Sequence, residues 1–510
     1  ETTPHDLTVG ILASIDQGAN TLGLTRPQLL QHTHTVRFST TIGTNTLINR
    51  SGPKVGLLLG SSLLERLSSA LSKDLPLPRD LLVSLSEETD NINPQEVSEA
   101  VHQLLEGGAR ILVVALGSHS NLSIREGQVR TAIAKDFPRH YLGAVPILCS
   151  NQVTLTRDDL LRVNTAVVNA YLHHDMSRVL YRVEDQLRDD GYRYPLLVAT
   201  ADAGTSRVAK TTALRTWGSG PAGGVAGASA YAQGLNLKCV VSLDIGGTSS
   251  DISLIKDFHW PYRVQPSIAN VEVALPAVDI ESIGIGGGSI AQIVDNTLVV
   301  GPKSAGAQPG PAAFGLGGNK ATVTDAVSCL GILDPDHFLG GRKRLDLKAA
   351  ETVVQDQLAD PLDLSLTEAA WSVLDTASEG IAQTIRSTIA SNKEDPRDYA
   401  IFVIGGAGGY IAGQIGAAVG VSSTYVFANN PVFSAFGLST LAISHSYEVE
   451  PGPDPTEALD ELHKRALRDM EGESVDLNEL TFSLEAEIES PNETGELQAV
   501  QLGNFPQDLS

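Results

Sequence analysis

Cysteine is scarce in this chain: Cys149, Cys239 and Cys329 are the three among 510 residues, widely spaced and each within or beside an apolar stretch. That spacing argues against a disulfide framework and against a cysteine metal site, and it favours a reducing, cytoplasmic compartment. Long apolar runs are missing too, since none reaches the roughly 18 residues of a membrane span and no signal peptide opens the sequence. Positive charge is in deficit: 36 Lys and Arg stand against 60 Asp and Glu, giving a formal net charge of -24. With no Lys/Arg run to compensate, nucleic acid and anionic membranes are poor candidates for the main partner. A small anionic ligand remains compatible, because a local nest of backbone amides works inside an acidic protein. Several catalytic signatures are also absent, among them GxxxxGK[ST], GxSxG, HExxH and CxxC. His173 and His174 are adjacent in a helical pattern and point in different directions, which makes them poor joint ligands. No internal repeat of solenoid period occurs. Nor does the chain open on Met: Glu1-Thr2-Thr3-Pro4 reads as the interior of a longer open reading frame.

What is present is enough apolar residue, 42%, to bury sizeable cores, and a length that suggests about two to four domains. Apolar spacing is helical from Leu7 to Leu22, Gln95 to Leu105, Asp158 to Leu187 and Leu366 to Ile389. Continuous apolar runs predict buried strands at Val55 to Leu59, Ile111 to Leu116 and Pro195 to Ala199, and this alternation predicts α/β layers with parallel pairing. Arg37 to Ile48 reads as a polar, Thr-rich stretch; Ser39-Thr40-Thr41-Ile42-Gly43-Thr44-Asn45-Thr46 either lines a polar site or forms a hydrogen-bonded loop. Residues 283 to 318 have loop composition, and so long a stretch is usually functional. Beyond Tyr447 the texture changes to a linker at Pro451 to Pro455, an acidic helix at Thr456 to Glu471, one alternating strand at Leu480 to Ile488, and a polar, frayed end.

The most informative segment is Leu243-Asp244-Ile245-Gly246-Gly247-Thr248-Ser249-Ser250-Asp251-Ile252-Ser253. Apolar stretches flank a turn too rich in glycine and hydroxyls to be core. Gly246 and Gly247 let amides converge on an anion, while Thr248, Ser249 and Ser250 add hydroxyl donors. Asp244 and Asp251 would repel a bare phosphate, so a divalent cation, Mg²⁺, is expected between carboxylate and phosphate. The competing reading is a tight hairpin with Asx and Ser/Thr turns.

Two further glycine clusters have rival readings. Gly218-Ser219-Gly220-Pro221-Ala222-Gly223 matches GxGxxG, with Asp244 at the end of the next strand, as in a dinucleotide-binding Rossmann unit. Thr211 to Trp217, however, makes an unconvincing preceding strand. Ile401 to Ile404 runs into Gly405-Gly406-Ala407-Gly408-Gly409 and a helix over Tyr410 to Val419, suited either to a flat base or sugar near a helix N-terminus or to a tight crossover.

Taken in order, Ser39-Thr40-Thr41 with Thr44-Asn45, Arg162 with Thr165 and Asn169-Ala170-Tyr171-Leu172, Ser219-Gly220-Pro221-Ala222-Gly223-Gly224, Asp244-Ile245-Gly246-Gly247-Thr248, Ile283 to Ile290, Gly301-Pro302-Lys303-Ser304-Ala305-Gly306, Thr322-Val323-Thr324-Asp325-Ala326 and Gly405-Gly406-Ala407-Gly408 resemble the hydantoinase A / 5-oxoprolinase family. The resemblance covers roughly residues 1 to 445. It implies an α/β fold of the actin, hexokinase and heat-shock-chaperone ATPase type, two-lobed, with mixed sheets and flanking helices. On that reading residues 1–205 form a lobe lacking its first phosphate loop. Residues 206–447 form the ATPase core lobe, and 448–510 a short C-terminal region.

The resemblance also implies ATP and Mg²⁺ as cofactors and a hydantoinase B-type partner subunit in a hetero-oligomer. Asp244 would hold Mg²⁺ through water, and Gly246, Gly247, Thr248 and Ser249 would cradle the β/γ-phosphates. Asp251 would sit at the far side of the turn, and Gly405, Gly406 and Gly408 would admit the nucleotide. Asp325, Gly287 and Gly288 would lie near the cleft, a buried structural Asp being the alternative for Asp325. The implied function is ATP-dependent phosphorylation of a hydantoin or lactam carbonyl for ring opening with the partner chain. The alternatives are a ketone (acetone or acetophenone) carboxylase subunit and a non-catalytic nucleotide-binding or scaffold subunit. Family members carry a first DxGGTxxD loop ahead of a Thr-Thr-Pro segment resembling Thr2-Thr3-Pro4, so the other half of the site is expected before residue 1, and the residues numbered here should bind nucleotide poorly alone. Ala201-Asp202-Ala203-Gly204, Glu281 and Gly409-Tyr410-Ile411 depart from the family pattern and leave the substrate open.

Overall fold

The computed structural model describes residues 7–67, 69–87, 92–117, 121–138, 140, 144–449, 455–473, 475–489 and 497–505; Thr2-Thr3-Pro4 and most of the linker at 451–455 lie outside them. The chain separates into two compact units, Glu1–Ser444 and His445–Ser510.

In the first unit, β1 (Val55–Gly60), β2 (Leu82–Leu85), β3 (Ile111–Ala115) and β4 (Ile147–Cys149) form an all-parallel sheet in the order β2-β1-β3-β4. Every residue of β1 and β3 is buried, which is why they read as unbroken apolar runs. A fully buried leucine such as Leu57 or Leu59 contributes about 1.5–3 kcal/mol. Along this sheet runs α1 (Asp159–Asp189), whose first turn is capped by Asp158 accepting from the Leu161 amide.

Arg162 on α1 is fully buried. It donates to Leu116 O at 2.9 Å, Thr156 O at 3.2 Å and Ser150 Oγ at 3.2 Å, tying the helix to the carboxyl ends of β3 and β4. One turn further, Thr165 Oγ1 accepts from the Ala274 amide and Asn169 Oδ1 from the Leu214 amide. The Arg162, Thr165 and Asn169 pattern therefore fastens four separate segments to one helix.

The Thr-rich stretch is not all loop, since Ile42–Ile48 is a short helix following the strand Arg37–Phe38. β-branched Thr is a weak helix former, but packing decides here: Ile42 and Thr46 are buried, and a Cβ on Gly43 would lie 3.6 Å from Leu172 of α1.

Helix α2 (Ser219–Leu235) starts from Gly218 at φ +68° and is preceded by a 3₁₀ turn at Leu214–Thr216. No strand leads into it. The strand that follows, β5 (Cys239–Ile245), turns back antiparallel into β6 (Ser250–Lys256), which excludes a Rossmann unit at the GxGxxG match. Next come β7 (Glu281–Ile283) and a hairpin of β8 (Ser289–Val294) and β9 (Thr297–Ser304). This hairpin falls inside the region read as loop. Then follow α3 (Leu366–Ser391), β10 (Ala400–Ile404), β11 (Ser423–Val426) and α4 (Phe433–Thr440).

The second main sheet has the order β7-β6-β5-β10-β11, with β6 antiparallel to both neighbours and β5, β10 and β11 mutually parallel. Helix α3 covers one face through Val373, Ala377, Ile381 and Ile385. On the other, α2 and α4 pack through Ala222, Val225, Ala226 and Phe433. The α2–α4 crossing is very close: a Cβ on Gly227 would lie 2.9 Å from Gly437 Cα and 3.0 Å from Phe433 Cε1. Gly227→Ala is expected to cost about 1–3 kcal/mol by overpacking. A thermal melt checks this, and a wild-type midpoint would contradict the close crossing.

The second unit has a helix at Pro455–Gly472 and an antiparallel pair, Phe482–Glu489 with Leu497–Phe505. A second strand thus follows the one expected, and the last residues, 506–510, lie outside the described ones.

Candidate nucleotide and phosphate site

The strongest sequence feature folds as a hairpin. Asp244 pairs with Asp251 and Ile245 with Ser250 across β5 and β6, and the Gly246 amide donates to Ser249 O at 2.9 Å to close the turn. Gly247 and Thr248 are exposed at its tip, with Ser249 half-buried. Behind it lies the second glycine cluster. The amides of Gly287 and Gly288 donate to Gly246 O and Gly247 O at 3.0 and 2.6 Å, and Ser250 Oγ donates to Ile285 O at 2.6 Å. A Cβ on Gly286 would sit 2.7 Å from Gly246 O, so two backbones meet here without side chains between them. Gly287 and Gly288 spend their N–H groups on the hairpin and shape the turn rather than donating to a ligand.

Asp244 ends β5 opposite Ile404 of β10. Burial, then the neighbouring Asp251 charge, pushes its carboxyl up to about 6 against the opposing effect of the Ser434 hydroxyl. Asp251 is raised by burial and partly relieved by the Ser282 hydroxyl. Two half-buried carboxylates facing each other, with no cationic side chain among the described residues to offset them, form a site that a divalent cation would stabilise. Among the described residues no group of three or more His, Cys, Asp or Glu could enclose a metal. A cation held by these two carboxylates would take its remaining ligands from waters and phosphate oxygens, which would suit Mg²⁺ and its hard oxygen ligands.

The loop after β10 lies directly against this carboxylate. Gly405, at φ +85°, donates to Asn430 O at 3.2 Å, and the Ala407 amide donates to Ile245 O at 3.0 Å. Beside it opens a cavity of about 320 Å³ lined by Gly405, Gly406, Gly409 and Tyr410, with Ile332, Leu333, Val426, Asn430 and Pro431 opposite. Gly408 lies behind the loop, where its Cβ would be 2.6 Å from Val403. Apolar walls of Ile332, Leu333, Val426 and Pro431 suit a flat heterocycle. Asn430 adds polarity: its Oδ1 accepts from the Phe427 amide, and its Nδ2 is buried with no partner among the described residues. Sequence reasoning missed this wall, for which Asn430-Pro431, a turn dipeptide, was the available signal.

Asp325 does not reach the cavity. Its carboxylate is fully buried and accepts from the amides of Ala312, Ala313 and Thr322 and from Thr322 Oγ1. It caps its own helix and holds the 312–313 loop, the structural alternative the sequence had left open. Thr324, one residue earlier, donates through both N–H and Oγ1 to Gly287 O at 2.7 Å. Burial raises the Tyr410 phenol to about 12, and its hydrogen bond to Thr324 links the 405–409 loop to the second glycine cluster. At the departing positions, Asp202 pairs with Arg215 at 2.7 Å and Glu281 accepts from Thr388 at 2.7 Å.

A mixed sheet with one antiparallel second strand, a glycine hairpin at its carboxylate and a glycine loop over the next parallel strand define the ATPase fold of actin, hexokinase and the heat-shock chaperones. The family model described as Hydantoinase/oxoprolinase matches residues 162–446, and the one described as Hydantoinase/oxoprolinase N-terminal region matches residues 1–137. The chain belongs to the hydantoinase/oxoprolinase family. It is 32% identical to the acetophenone carboxylase gamma subunit of Aromatoleum aromaticum, over 96% of this chain and 72% of that one. It is 29% identical to the caprolactamase subunit alpha of Pseudomonas jessenii, over 82% of this chain and 63% of the relative. The crystal structure of the ATP-dependent caprolactamase from the same organism superposes with a TM-score of 0.79 at 26% identity, covering 98% of this chain and 77% of that one. No helix among the described residues is long and apolar enough to cross a membrane.

Proposed function

We propose that this chain binds Mg·ATP between the 244–251 hairpin and the 405–409 loop and transfers phosphate to a carbonyl-derived oxygen, so that a partner chain can complete the reaction. The observation that carries this reading is the position of Asp244, at the hairpin and against Gly405, which itself lines the cavity of about 320 Å³. Asp244 would hold Mg²⁺ through water, which neutralises charge developing on the phosphates. Gly247, Thr248 and Ser249 would supply turn donors, Gly246 closes the turn by donating to Ser249 O, and Asp251 keeps the hairpin acidic beside the cation. Gly405 and Gly406 give the nucleotide close access, with Gly408 packing the loop from behind.

Two substrate classes fit this chemistry. Phosphorylating a cyclic amide makes its carbonyl carbon a better electrophile for ring opening, and the caprolactamase relative supports that reading. Phosphorylating an enol oxygen stores activation for carbon–carbon bond formation. The acetophenone carboxylase relative supports this second reading, with higher identity and coverage. Both relatives are named as subunits, which supports a hetero-oligomer with a B-type chain.

Phosphate release by the full-length gene product with its partner separates them. Turnover stimulated by hydantoin, 5-oxoproline or caprolactam without bicarbonate supports the amide reading. Strict dependence on bicarbonate with acetone or acetophenone overturns it in favour of the carboxylase. No stimulation by any of these would leave the scaffold reading as the better one.

A further inference from the structure

A second cavity, of about 510 Å³, opens against the β8–β9 hairpin and shares no lining residue with the first. It is lined by Ile290, Ala291, Ile293 and Pro361 together with the polar residues Gln292, Asn296 and Gln357 and the basic residues Lys303 and Lys320. In a chain with 60 acidic residues, none of these nine is acidic. Neither lysine has a hydrogen bond or ion pair among the described residues. The nearby Asp360 is engaged by Gln355 and does not line the space.

The lysines come from different elements, and the backbone beside each is tied to its surroundings. Lys303 lies on β9, beside Ser304, whose hydroxyl donates to Gly288 O at 3.1 Å. Lys320 precedes Ala321, whose carbonyl accepts from the Ala291 amide at 2.8 Å and whose amide donates to Gln357 Oε1 at 3.2 Å. Gln357 Nε2 donates in turn to Asn319 O at 2.8 Å. Gln357 reaches this loop from a π-helical turn, Gln355–Ala359, a backbone irregularity that frequently marks functional positions. Three elements therefore converge to present two cations over an apolar floor.

We propose that this cavity is a binding site for a small organic anion, a carboxylate or phosphate monoester with an apolar body, held by Lys303 and Lys320. Two ammonium groups without carboxylates favour the anion, and Ile290, Ile293 and Pro361 favour the apolar portion. The experiment is calorimetric titration of the full chain with benzoate and with phenyl phosphate, using benzamide as the neutral control. Saturable binding of either anion but not benzamide is expected, and the anion that binds identifies the source. Lys303→Met/Lys320→Met should weaken it by about tenfold or more, the order that a single charge-assisted hydrogen bond contributes. Because both side chains are exposed, the variant should keep the wild-type melting temperature, so weaker binding is not a sign of unfolding. Failure of both anions to saturate the wild-type protein, or equal binding by the double variant, would overturn the proposal.

Discussion

Replacing Asp244 with Asn is expected to lower Mg·ATP turnover by about 10²–10³-fold while making the ligand-free protein more stable. Both effects have one origin. Burial and the Asp251 charge hold the Asp244 carboxyl at about 6, against an ordinary value of 3.8. A folded-state pKa raised above the unfolded one means that the native protein binds the extra proton between those values. Stability therefore falls as pH rises from about 4 through 6, and at neutral pH the ionised carboxylate is a net cost. About two pKa units correspond to about 3 kcal/mol at most, and sharing with Asp251 brings the expected gain in D244N to about 1–3 kcal/mol. Asn keeps the shape and removes the charge. On the proposed role the same carboxylate has to be ionised to hold a cation, so wild-type kcat/KM should fall on the acid side with an apparent pKa near 6. Thermal melts of wild type and D244N at neutral pH, beside phosphate-release rates, read all of this. A variant that turns over ATP within a few-fold of wild type removes Asp244 from the site, whereas one that melts lower contradicts the strain.

The sequence announced this hairpin clearly because its signals were local: two apolar runs around Gly246, Gly247 and hydroxyl residues. The long helices α1 and α3 and the buried strands β1, β3 and β10 were legible for the same reason, since each carries its own periodicity or unbroken apolar run. What escaped was set by contacts distant in sequence. The β8–β9 hairpin turns at Asp295 and Asn296, both at positive φ, a two-residue turn hidden inside glycine-rich composition. The helix Ile42–Ile48 owes its form to α1 rather than to its Thr-rich propensity. Within the site, Asp244 and Gly405 were identifiable as residue types in a pattern. Asn430, however, enters the cavity only because a strand and a turn more than twenty residues later fold back beside the loop. Gly287, Gly288 and Asp325 belonged to the right neighbourhood, but only coordinates reveal that their hydrogen bonds are already spent on the protein itself.

The second large effect is a contrast between adjacent glycines. Gly405 holds φ at +85°, a conformation that costs an L-residue about 1–2 kcal/mol. A Cβ there would also collide with Asp244 Oδ1 and lie 2.5 Å from Ile245 O. The backbone oxygen cannot retreat, because it accepts the Ala407 amide, and β5 is pinned on both sides by β6 and β10. Asp244 would have to swing away from Ser434, abandoning the position proposed for holding the cation. Gly405→Ala is therefore expected to cost about 3–5 kcal/mol and to remove measurable nucleotide binding. Gly406, one residue on, is exposed, lies outside the left-handed region, and has no heavy atom within 4 Å of a built Cβ. Gly406→Ala should leave stability within about 0.5 kcal/mol of wild type. Its methyl group would project into the cavity, however, so ATP affinity should drop by about tenfold if the nucleotide lies against this loop. Melting curves and ATP titrations of the two variants separate fold from ligand. Wild-type affinity in Gly406→Ala would move the nucleotide off the 405–409 loop, and a Gly405→Ala protein that melts and binds normally would show that Asp244 and the loop are not held against each other.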